Sequence, residues 1–451
     1  MWTVRLVDIL LLFVGLWGVG ALAARLAGRE ARLWAMALAG LWYAGSNYGD
    51  VSQPDGWAAM LTALALGLAV SPRPAAWLRA VLAGLLMSWV ALYKPILLVL
   101  APLPLLALDL GAAQRSTRSW LTVTGAYCAA YGALVALVVL WVALRGAMPQ
   151  MLETLLFFNK AVYWTSRPVG LAQMLALTGA YLLPLSPFVL LGIYGLTRTS
   201  PACRRVRAAL ILWALLGLAL VLLQGRFYPY HWHLLYFAVA TAAGVGVGVL
   251  LKDLVSQAWE SSAGKPRVHP AIVYVVAFGV LLAPLQRILP SLGVWGKSAL
   301  GLAPWSSYYA TFGPSGQSGL SFLDQCAVAD YLREHTPPGD SDFVWGFGPL
   351  ILYLSGVPSA SRFAYPLALI SARYTSDRFW REYSSELMHS LTHRPPSLIV
   401  VGEGDATWAI PYESKDFLPR FPALQSFLRA GYVPDTSIGS FDIYRRRGPL
   451  R

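Results

Sequence analysis

Ten long apolar blocks fill roughly the first 290 residues of this 451-residue chain, and the basic residues between them fall almost entirely in alternate gaps. A helix rises about 1.5 Å per residue, so about 20 apolar residues cross a hydrocarbon core of roughly 30 Å. The blocks predict spans at 8–26, 31–46, 54–70, 80–93, 95–110, 119–144, 171–197, 207–224, 233–251 and 270–290. We therefore expect a polytopic α-helical membrane protein with about ten transmembrane helices in residues 1–290.

The charges in the gaps predict how the chain is oriented. The odd-numbered gaps hold most of the cations, namely Arg25, Arg29, Arg32, Arg73, Arg79, Arg115, Arg118, Arg198, Arg204, Arg205, Arg207, Lys252, Lys265 and Arg267. The even-numbered gaps hold Lys94, Arg145, Lys160, Arg167 and Arg226. Because basic loops stay in the cytoplasm, the odd gaps should face inward, and the chain start and residues 291–451 should lie outside the cytoplasmic (inner) membrane.

The composition agrees with a membrane protein and argues against a soluble one. The chain is 57% hydrophobic and 13% charged, with a mean hydropathy of +0.55. Its formal net charge of +13 is explained by the basic cytoplasmic loops, which also meet anionic lipid, so we expect no nucleic-acid partner. Cys128, Cys203 and Cys326 lie far apart and form neither a disulfide framework nor a zinc-binding spacing.

After about residue 300 the pattern changes to alternating helix and strand lengths. We predict helix 321–335, strand 342–346, a short helix or turn near 348–355, helix 376–393, strand 397–402, helix 414–430, and strands near 432–436 and 440–445. This order predicts a small extracytoplasmic α/β domain in residues 291–451.

One outward gap, 146–169, has a helical pattern of its own. Met148, Met151, Leu152, Leu155 and Leu156 recur at helical spacing. The pattern predicts an amphipathic helix at the membrane interface, and an ordinary connecting loop is the alternative.

Polar side chains in or beside spans are costly, and those on the predicted outer side form four groups that could carry chemistry. The first includes Asp50 and Asp55, and Asp55 follows Pro54 at the mouth of the third span. A carboxylate between water and hydrocarbon suits a general base or a ligand of a divalent metal, and a solvated helix cap is the equal alternative. The second is Lys94, before Pro95, which can pair with a lipid phosphate or merely snorkel.

The third group lies at one helix entrance and combines Arg226 with Tyr230, His231 and His233. Aromatic rings alone are common at membrane interfaces, whereas a guanidinium with two imidazoles suits a phosphate or sugar contact.

The fourth group lies on the amphipathic segment, where Lys160 and Arg167 flank Tyr163 and Trp164. Aromatic faces can pack on sugar C–H surfaces while cations hold phosphate, and ordinary surface cations are the alternative.

A carboxylate, several cations and aromatic rings on one side of a membrane fit transfer of a sugar from a lipid-linked phosphate donor. That reaction needs a base to take the proton of an acceptor hydroxyl, with cations or a metal to stabilise the departing phosphate.

At these residues the chain resembles the protein-mannosyltransferase-like branch of the type C glycosyltransferases, which includes bacterial aminoarabinose transferases. The matching segments are Trp2-Thr-Val-Arg5-Leu-Val-Asp8, Ser52-Gln-Pro-Asp55-Gly, Leu92-Tyr-Lys94-Pro95, Phe157-Phe-Asn159-Lys160, Arg226-Phe-Tyr-Pro-Tyr-His231, Tyr331-Leu-Arg-Glu-His-Thr-Pro-Pro-Gly-Asp340, Phe343-Val-Trp-Gly346 and Ser361-Arg362-Phe363. Each is short, but their order extends over nearly the whole chain.

The resemblance implies roles for particular residues. Asp55 resembles the second acidic residue of the family, which shares metal or acceptor duties, and Lys94 resembles its donor-phosphate lysine. Lys160 and Arg226 lie where other donor-contacting cations occur. Family members begin with one further span and a large outer loop that bears the principal catalytic acid, and this sequence starts after both. We therefore expect a gene start upstream of Met1 or a degenerate member, with Asp50 as the candidate substitute.

The sequence thus predicts an inverting membrane glycosyltransferase that uses a polyprenyl-phosphate sugar donor and an unidentified glycan, lipid or protein acceptor. Asp55 and Asp50 are assigned to catalysis and Lys94, Lys160 and Arg226 to the donor phosphate. Contacts to donor or acceptor are assigned to Tyr230, His231, His233, Tyr163 and Trp164. A non-catalytic binding or scaffold protein for a lipid-linked sugar is the alternative.

Overall fold

The computed structural model describes residues 2–46, 50–108, 116–163, 165, 170–259, 270–312, 321–406 and 413–448. The α-helices before residue 153 are α1 (Trp2–Ala27), α2 (Arg29–Ala44), α3 (Pro54–Val70), α4 (Ala76–Tyr93), α5 (Leu103–Ala107), α6 (Thr117–Leu144) and α7 (Met148–Leu152). Those after residue 170 are α8 (Leu171–Leu182), α9 (Ser186–Thr197), α10 (Arg204–Gln224), α11 (His233–Trp259), α12 (Pro270–Ala299), α13 (Trp305–Ala310), α14 (Phe322–His335), α15 (Leu350–Ser355), α16 (Leu367–Thr375), α17 (Asp377–His393), α18 (Ser414–Phe417) and α19 (Pro422–Gly431).

Shorter helical turns and four strands complete the described elements. The 3₁₀ helices are Pro95–Leu100, Pro201–Cys203, Pro229–Trp232 and Leu418–Arg420, and Glu153–Tyr163 is a π-helix. The strands are β1 (Phe343–Trp345), β2 (Leu398–Gly402), β3 (Tyr432–Ile438) and β4 (Phe441–Arg446).

The chain forms two compact units. The first comprises residues 1–146 and 171–290, and the second comprises residues 147–170 and 291–451. The segment that follows α6 therefore belongs to the second unit, although it lies between two helices of the first in the sequence.

The first unit contains the apolar helices. Among the described residues, five stretches are long and apolar enough to cross a membrane: Thr3–Ala27, Ala76–Tyr93, Thr117–Leu144, Pro201–Gln224 and Pro229–Ser256. A sixth results if α8 and α9 are counted as one span, since they are bent by 67° at a short break. The chain is thus a membrane protein, but the predicted count of ten spans is not confirmed.

The difference in span count has local causes. The predicted spans 31–46 and 54–70 correspond to helices α2 and α3, which have only 16 and 17 residues and are therefore not counted among the long apolar helices. The predicted span 95–110 is broken into a 3₁₀ helix and α5, because prolines at positions 95, 102 and 104 interrupt helical hydrogen bonding. The predicted span 270–290 lies on α12, where most side chains before residue 281 are outside the described set.

Small residues allow the helices of the first unit to pack closely. A Cβ atom added to Gly67 of α3 would lie 2.5 Å from the Cα of Gly18 in α1. In a second helix pair, a Cβ atom added to Gly195 of α9 would lie 2.5 Å from the backbone of Gly246 in α11. Close backbone approach at small residues is typical of helix packing in membranes, where apolar side chains gain little by leaving lipid.

The second unit contains a four-stranded sheet in the order β1-β2-β4-β3. Strand β2 pairs parallel with β1 and antiparallel with β4, which in turn pairs antiparallel with β3. Alternate residues of β1 and β2 enter two cores: Phe343, Trp345, Ile399 and Val401 enter one, and Val344, Leu398 and Val400 enter the other. Both faces of these strands are therefore covered, as their apolar runs require.

The predicted elements of residues 321–446 mostly lie where the strands and helices are found. Helix α16 was not predicted, and the predicted helix 414–430 is three pieces, with Pro422 opening the last. The predicted amphipathic segment is helical through Tyr163. Its Leu152, Leu155 and Leu156 are exposed, whereas Phe158 and Val162 are buried in the core of the second unit.

Candidate functional site

Asp55 lies in the first turn of α3 and is fully buried. Pro54 occupies one of the first helical positions, where its missing N–H is not needed. The N-cap residue is Gln53, and among the described residues no side-chain hydrogen bond caps this helix. Asp55 is therefore not a solvated cap, which was the alternative that its position in the sequence left open.

Lys94 is the partner of this carboxylate. It ends α4 in an extended conformation, as the following Pro95 favours. Its ammonium group donates to Asp55 Oδ2, lies 3.3 Å from Oε1 of Gln224 and lies 5.5 Å from the ring centroid of Tyr230. The lysine therefore joins the ends of α3, α4 and α10 rather than extending freely into water.

The segment between α10 and α11 contributes the other cation and both imidazoles. Gly225 ends α10 in the left-handed conformation, with φ of 63°, and a 3₁₀ turn leads into α11. Arg226, His231 and His233 are all buried. His231 lies within electrostatic range of Lys94 and Arg226, so the three predicted residues Asp55, Lys94 and Arg226 belong to one cluster.

Asp50 lies beside the same cluster, in the turn before α3. Its carboxylate accepts a hydrogen bond from the backbone N–H of Tyr230. Burial nevertheless raises the pKa of Asp50 to about 7, because a partly buried carboxylate loses more solvation than this single bond returns. Asp50 can therefore exchange a proton near neutral pH.

Two buried ring nitrogens in this cluster, the Nδ1 atoms of His231 and His233, have no hydrogen-bond partner among the described residues. The Gln224 side chain, in contrast, lies within hydrogen-bonding range of the Asp55 carboxyl group. The other ring nitrogen of His233, Nε2, lies 3.1 Å from the Ser46 hydroxyl. Buried polar groups are nearly always paired, so this concentration marks a place where polar groups of a ligand can be received.

The structure also shows a supporting network that the sequence analysis did not assign. Asp8 of α1 is buried and accepts hydrogen bonds from Tyr43 Oη at 2.6 Å and from Trp57 Nε1 at 2.7 Å. Tyr43 Oη in turn accepts the backbone N–H of Ser52 at 2.9 Å, and Arg5 donates to the Ser52 hydroxyl. The network thus ties α1 and α2 to the turn that carries Asp50 and to the start of α3.

The predicted residues of the amphipathic segment are not part of this cluster. Lys160 is exposed on the π-helix of the second unit. The side chain of Tyr163, together with Trp164 and Arg167, lies outside the described residues. The assignment of Lys160 to the donor phosphate therefore stays a prediction.

The described side chains show no cluster of three or more metal-ligating residues, that is, no such group of His, Cys, Asp and Glu that could hold a metal ion. Around Asp55 the neighbour is the Lys94 ammonium, which repels a cation. Metal binding at Asp55 stays a prediction.

Comparisons with known proteins identify the fold. No protein-family model matches the chain, and no curated protein matches its sequence. Among solved structures, ArnT from Cupriavidus metallidurans bound to undecaprenyl phosphate has a TM-score of 0.54 and 13% identity, covering 100% of this chain and 85% of that one. ArnT in the apo state has a TM-score of 0.52 and 14% identity, covering 97% and 83% of the two chains.

A more distant match is the arabinofuranosyltransferase AftD from Mycobacteria, with a TM-score of 0.43 and 17% identity over 100% of this chain and 34% of that one. Identities this low concern architecture alone, and only the two ArnT structures have TM-scores above 0.5 among these matches. The likeness to these two structures over nearly the whole chain shows that the chain has the fold of ArnT, as the resemblance to the type C glycosyltransferases predicts.

Proposed function

We propose that the chain is a membrane glycosyltransferase that moves a sugar from a polyprenyl-phosphate donor to an acceptor hydroxyl at the outer face of the cytoplasmic membrane. The observation that carries this proposal is the ion pair between the buried Asp55 and the half-buried Lys94, with Gln224 and Tyr230 beside Lys94, in a chain of this fold. A carboxylate and an ammonium at one helix junction supply the two functions that the reaction needs, a proton acceptor and a counterion for phosphate.

Lys94 and Arg226 form the donor side of the proposed site. Both lie within electrostatic range of the His231 imidazole. We place the donor phosphate there, beside the Nδ1 atom of His231, which has no hydrogen-bond partner in the described part of the chain. Charge-assisted hydrogen bonds of this kind are short and strong, which suits a phosphate held beside lipid. ArnT bound to undecaprenyl phosphate supports a lipid-linked donor for this fold.

The acidic residues form the acceptor side. A carboxylate, Asp55 or Asp50, takes the proton of the acceptor hydroxyl, whose oxygen then bonds to the anomeric carbon of the sugar. The bond from that carbon to the phosphate oxygen breaks, and the polyprenyl phosphate leaves with the electron pair, stabilised by Lys94 and Arg226. A single displacement of this kind inverts the configuration at the anomeric carbon.

The test is binding and turnover by the full chain in lipid vesicles, with Lys94→Ala. We expect undecaprenyl phosphate to bind at least about tenfold more weakly to this variant, since a charge-assisted hydrogen bond contributes roughly 1.5–3 kcal/mol. Release of polyprenyl phosphate from a panel of polyprenyl-phosphate sugars should be abolished. Arg145→Ala is the matched control, because Arg145 is an exposed cation of a predicted outward gap. Unchanged binding and turnover in Lys94→Ala would refute the proposal.

A non-catalytic binding or scaffold protein for a lipid-linked sugar is the second candidate. It is favoured by one observation, namely that Lys94 already neutralises Asp55, the strongest candidate base. Lipid binding that depends on Lys94, without release of polyprenyl phosphate from any donor in the panel, would support this candidate over the enzyme.

A further inference from the structure

The second unit exposes a concentrated apolar surface where α12 ends. It consists of Leu292, Trp295, Leu300, Leu302, Trp305 and Tyr309, which we call the α12–α13 surface. Leu300 and Leu302 are 76% and 75% exposed, more than any other large apolar side chain described in the second unit. Large apolar side chains that are exposed this close together in the chain mark a surface that something covers.

This surface is a folded element rather than a loose connection. The Ser298 hydroxyl donates to the carbonyl of Pro304 at 3.2 Å, and the backbone N–H of Leu302 donates to the carbonyl of Lys297 at 2.8 Å. Gly301 makes the turn possible with a φ of 73°. The two leucines between these bonds are therefore held outward by the backbone.

The aromatic part of the surface is also fixed. The rings of Trp305 and Tyr309 lie 6.5 Å apart, and Tyr309 packs edge to face on Phe322, at the start of α14, with ring centroids 5.6 Å apart. The α12–α13 surface is thus joined to the folded part of the second unit and would transmit an anchoring contact to it.

Charge and continuity indicate what covers the surface. Residues 291–312 contain one cation, Lys297, and no acidic residue. Tryptophan, tyrosine and leucine beside a lysine that can snorkel are typical of the boundary between lipid headgroups and acyl chains. Helix α12 (Pro270–Ala299) contains both the predicted span 270–290 and the first residues of this surface, with Pro284 and Pro290 inside the helix. A protein partner would not explain why aromatic residues, leucines and a single lysine occur together at the end of a helix that contains a predicted span.

We propose that the α12–α13 surface inserts into the headgroup region of the membrane and anchors the second unit there. Leu300, Leu302 and Trp305 enter the boundary with the acyl chains, while the Lys297 ammonium meets lipid phosphates. The proposal concerns membrane anchoring and does not depend on the transferase chemistry.

Spin labels on the full chain test this proposal. The background variant replaces Cys128 and Cys326 by serine and keeps Cys203, which is buried and hydrogen-bonded to Arg25. A nitroxide is attached through Leu302→Cys or Trp305→Cys in vesicles of phosphatidylethanolamine and phosphatidylglycerol. Tyr353→Cys is the matched control, since Tyr353 is also an exposed apolar residue of the second unit.

We expect labels at positions 302 and 305 to collide several-fold more often with oxygen, relative to a water-soluble nickel chelate, than the label at 353. Equal ratios at all three positions would overturn the proposal. So would spin–spin broadening at 302 that increases with protein density, because a second copy would then cover the surface. Tryptophan emission and gel filtration of the unlabelled variants establish that each one is folded.

Discussion

Asp50 is an acidic residue of the site that titrates near neutral pH. Burial raises its pKa to about 7, so the carboxyl is protonated below that pH and ionised above it. If Asp50 accepts the proton of the acceptor, turnover should rise as the pH increases through about 7. In Asp50→Asn this rise of turnover with pH, the acidic limb of the pH profile, should disappear, together with most of the activity. The pH dependence of donor turnover measures both effects.

The control for this prediction is Asp416→Asn, because Asp416 is an exposed carboxylate in the second unit. Its profile should match that of the unaltered chain. An acidic limb that persists near pH 7 in Asp50→Asn would assign the proton transfer to another group.

Asp8 is expected to position the acceptor side without touching a substrate. In Asp8→Ala, Tyr43 Oη and Trp57 Nε1 lose their shared acceptor, and the start of α3 can shift. Since a displacement of about 1 Å can cost on the order of 100-fold in rate, kcat should fall at least about tenfold, with KM little changed. Asp8→Asn retains an acceptor oxygen and should restore most of kcat. Steady-state kinetics measure both parameters. An equal loss of kcat in Asp8→Ala and Asp8→Asn would contradict a positioning role.

The sequence indicated Asp55 and Lys94 because each lies next to a proline at the end of an apolar block, where a charge is conspicuous. It did not indicate Asp8 or Gln224 as part of the same site. Asp8 reaches its partners across 35 and 49 positions, and Gln224 reaches Lys94 across 130. Such contacts follow from helix packing, which no local pattern encodes.

At the scale of elements, the π-helix Glu153–Tyr163 offers a matched pair of adjacent phenylalanines. Phe158 is buried, with its ring centroid 5.4 Å from those of Phe379 and Tyr383, whereas Phe157 is 57% exposed. Phe158→Ala should destabilise the second unit by about 3–5 kcal/mol, as is usual for a buried phenylalanine. Limited proteolysis within residues 291–451 should accelerate accordingly.

Phe157→Ala is the control and should leave the proteolysis rate of the second unit nearly unchanged. Equal protection in both variants would mean that the π-helix does not support the core. Equal acceleration in both would instead mean that the burial of Phe158 is not what stabilises this core.

Helices and strands were predictable from the sequence where an apolar periodicity extended over the whole element. Helices α14 and α17 and strands β1 and β2 lie close to their predicted positions, since their apolar periods are clear and turn residues bound them. Helix α16 was missed because it has only nine residues and buries the adjacent Leu369 and Ile370 together with Ala372, which is no clear helical period. Prolines explain the breaks in the predicted span 95–110 and the predicted helix 414–430.

At the scale of the whole molecule, hydropathy predicted a membrane protein but not how its chain divides. Residues 147–170 join the second unit, although hydropathy places them between two spans of the first. Their assignment depends on Phe158 and Val162, which enter a core built almost entirely from residues after 340. A contact between such distant segments is not encoded in the composition of either one.

The orientation of the molecule remains a prediction from its basic residues. Arg198, Arg204, Arg205 and Arg207 lie in one gap, and loops with this many cations are retained in the cytoplasm. Alkaline phosphatase fused after Arg451 should therefore be active, and a fluorescent protein fused there should stay dark, because each requires a different compartment. The reverse pattern is expected for fusions after Thr199, in the basic gap between α9 and α10. A fluorescent fusion after Arg451 would place the second unit in the cytoplasm and remove the outward-facing site on which the transferase proposal depends.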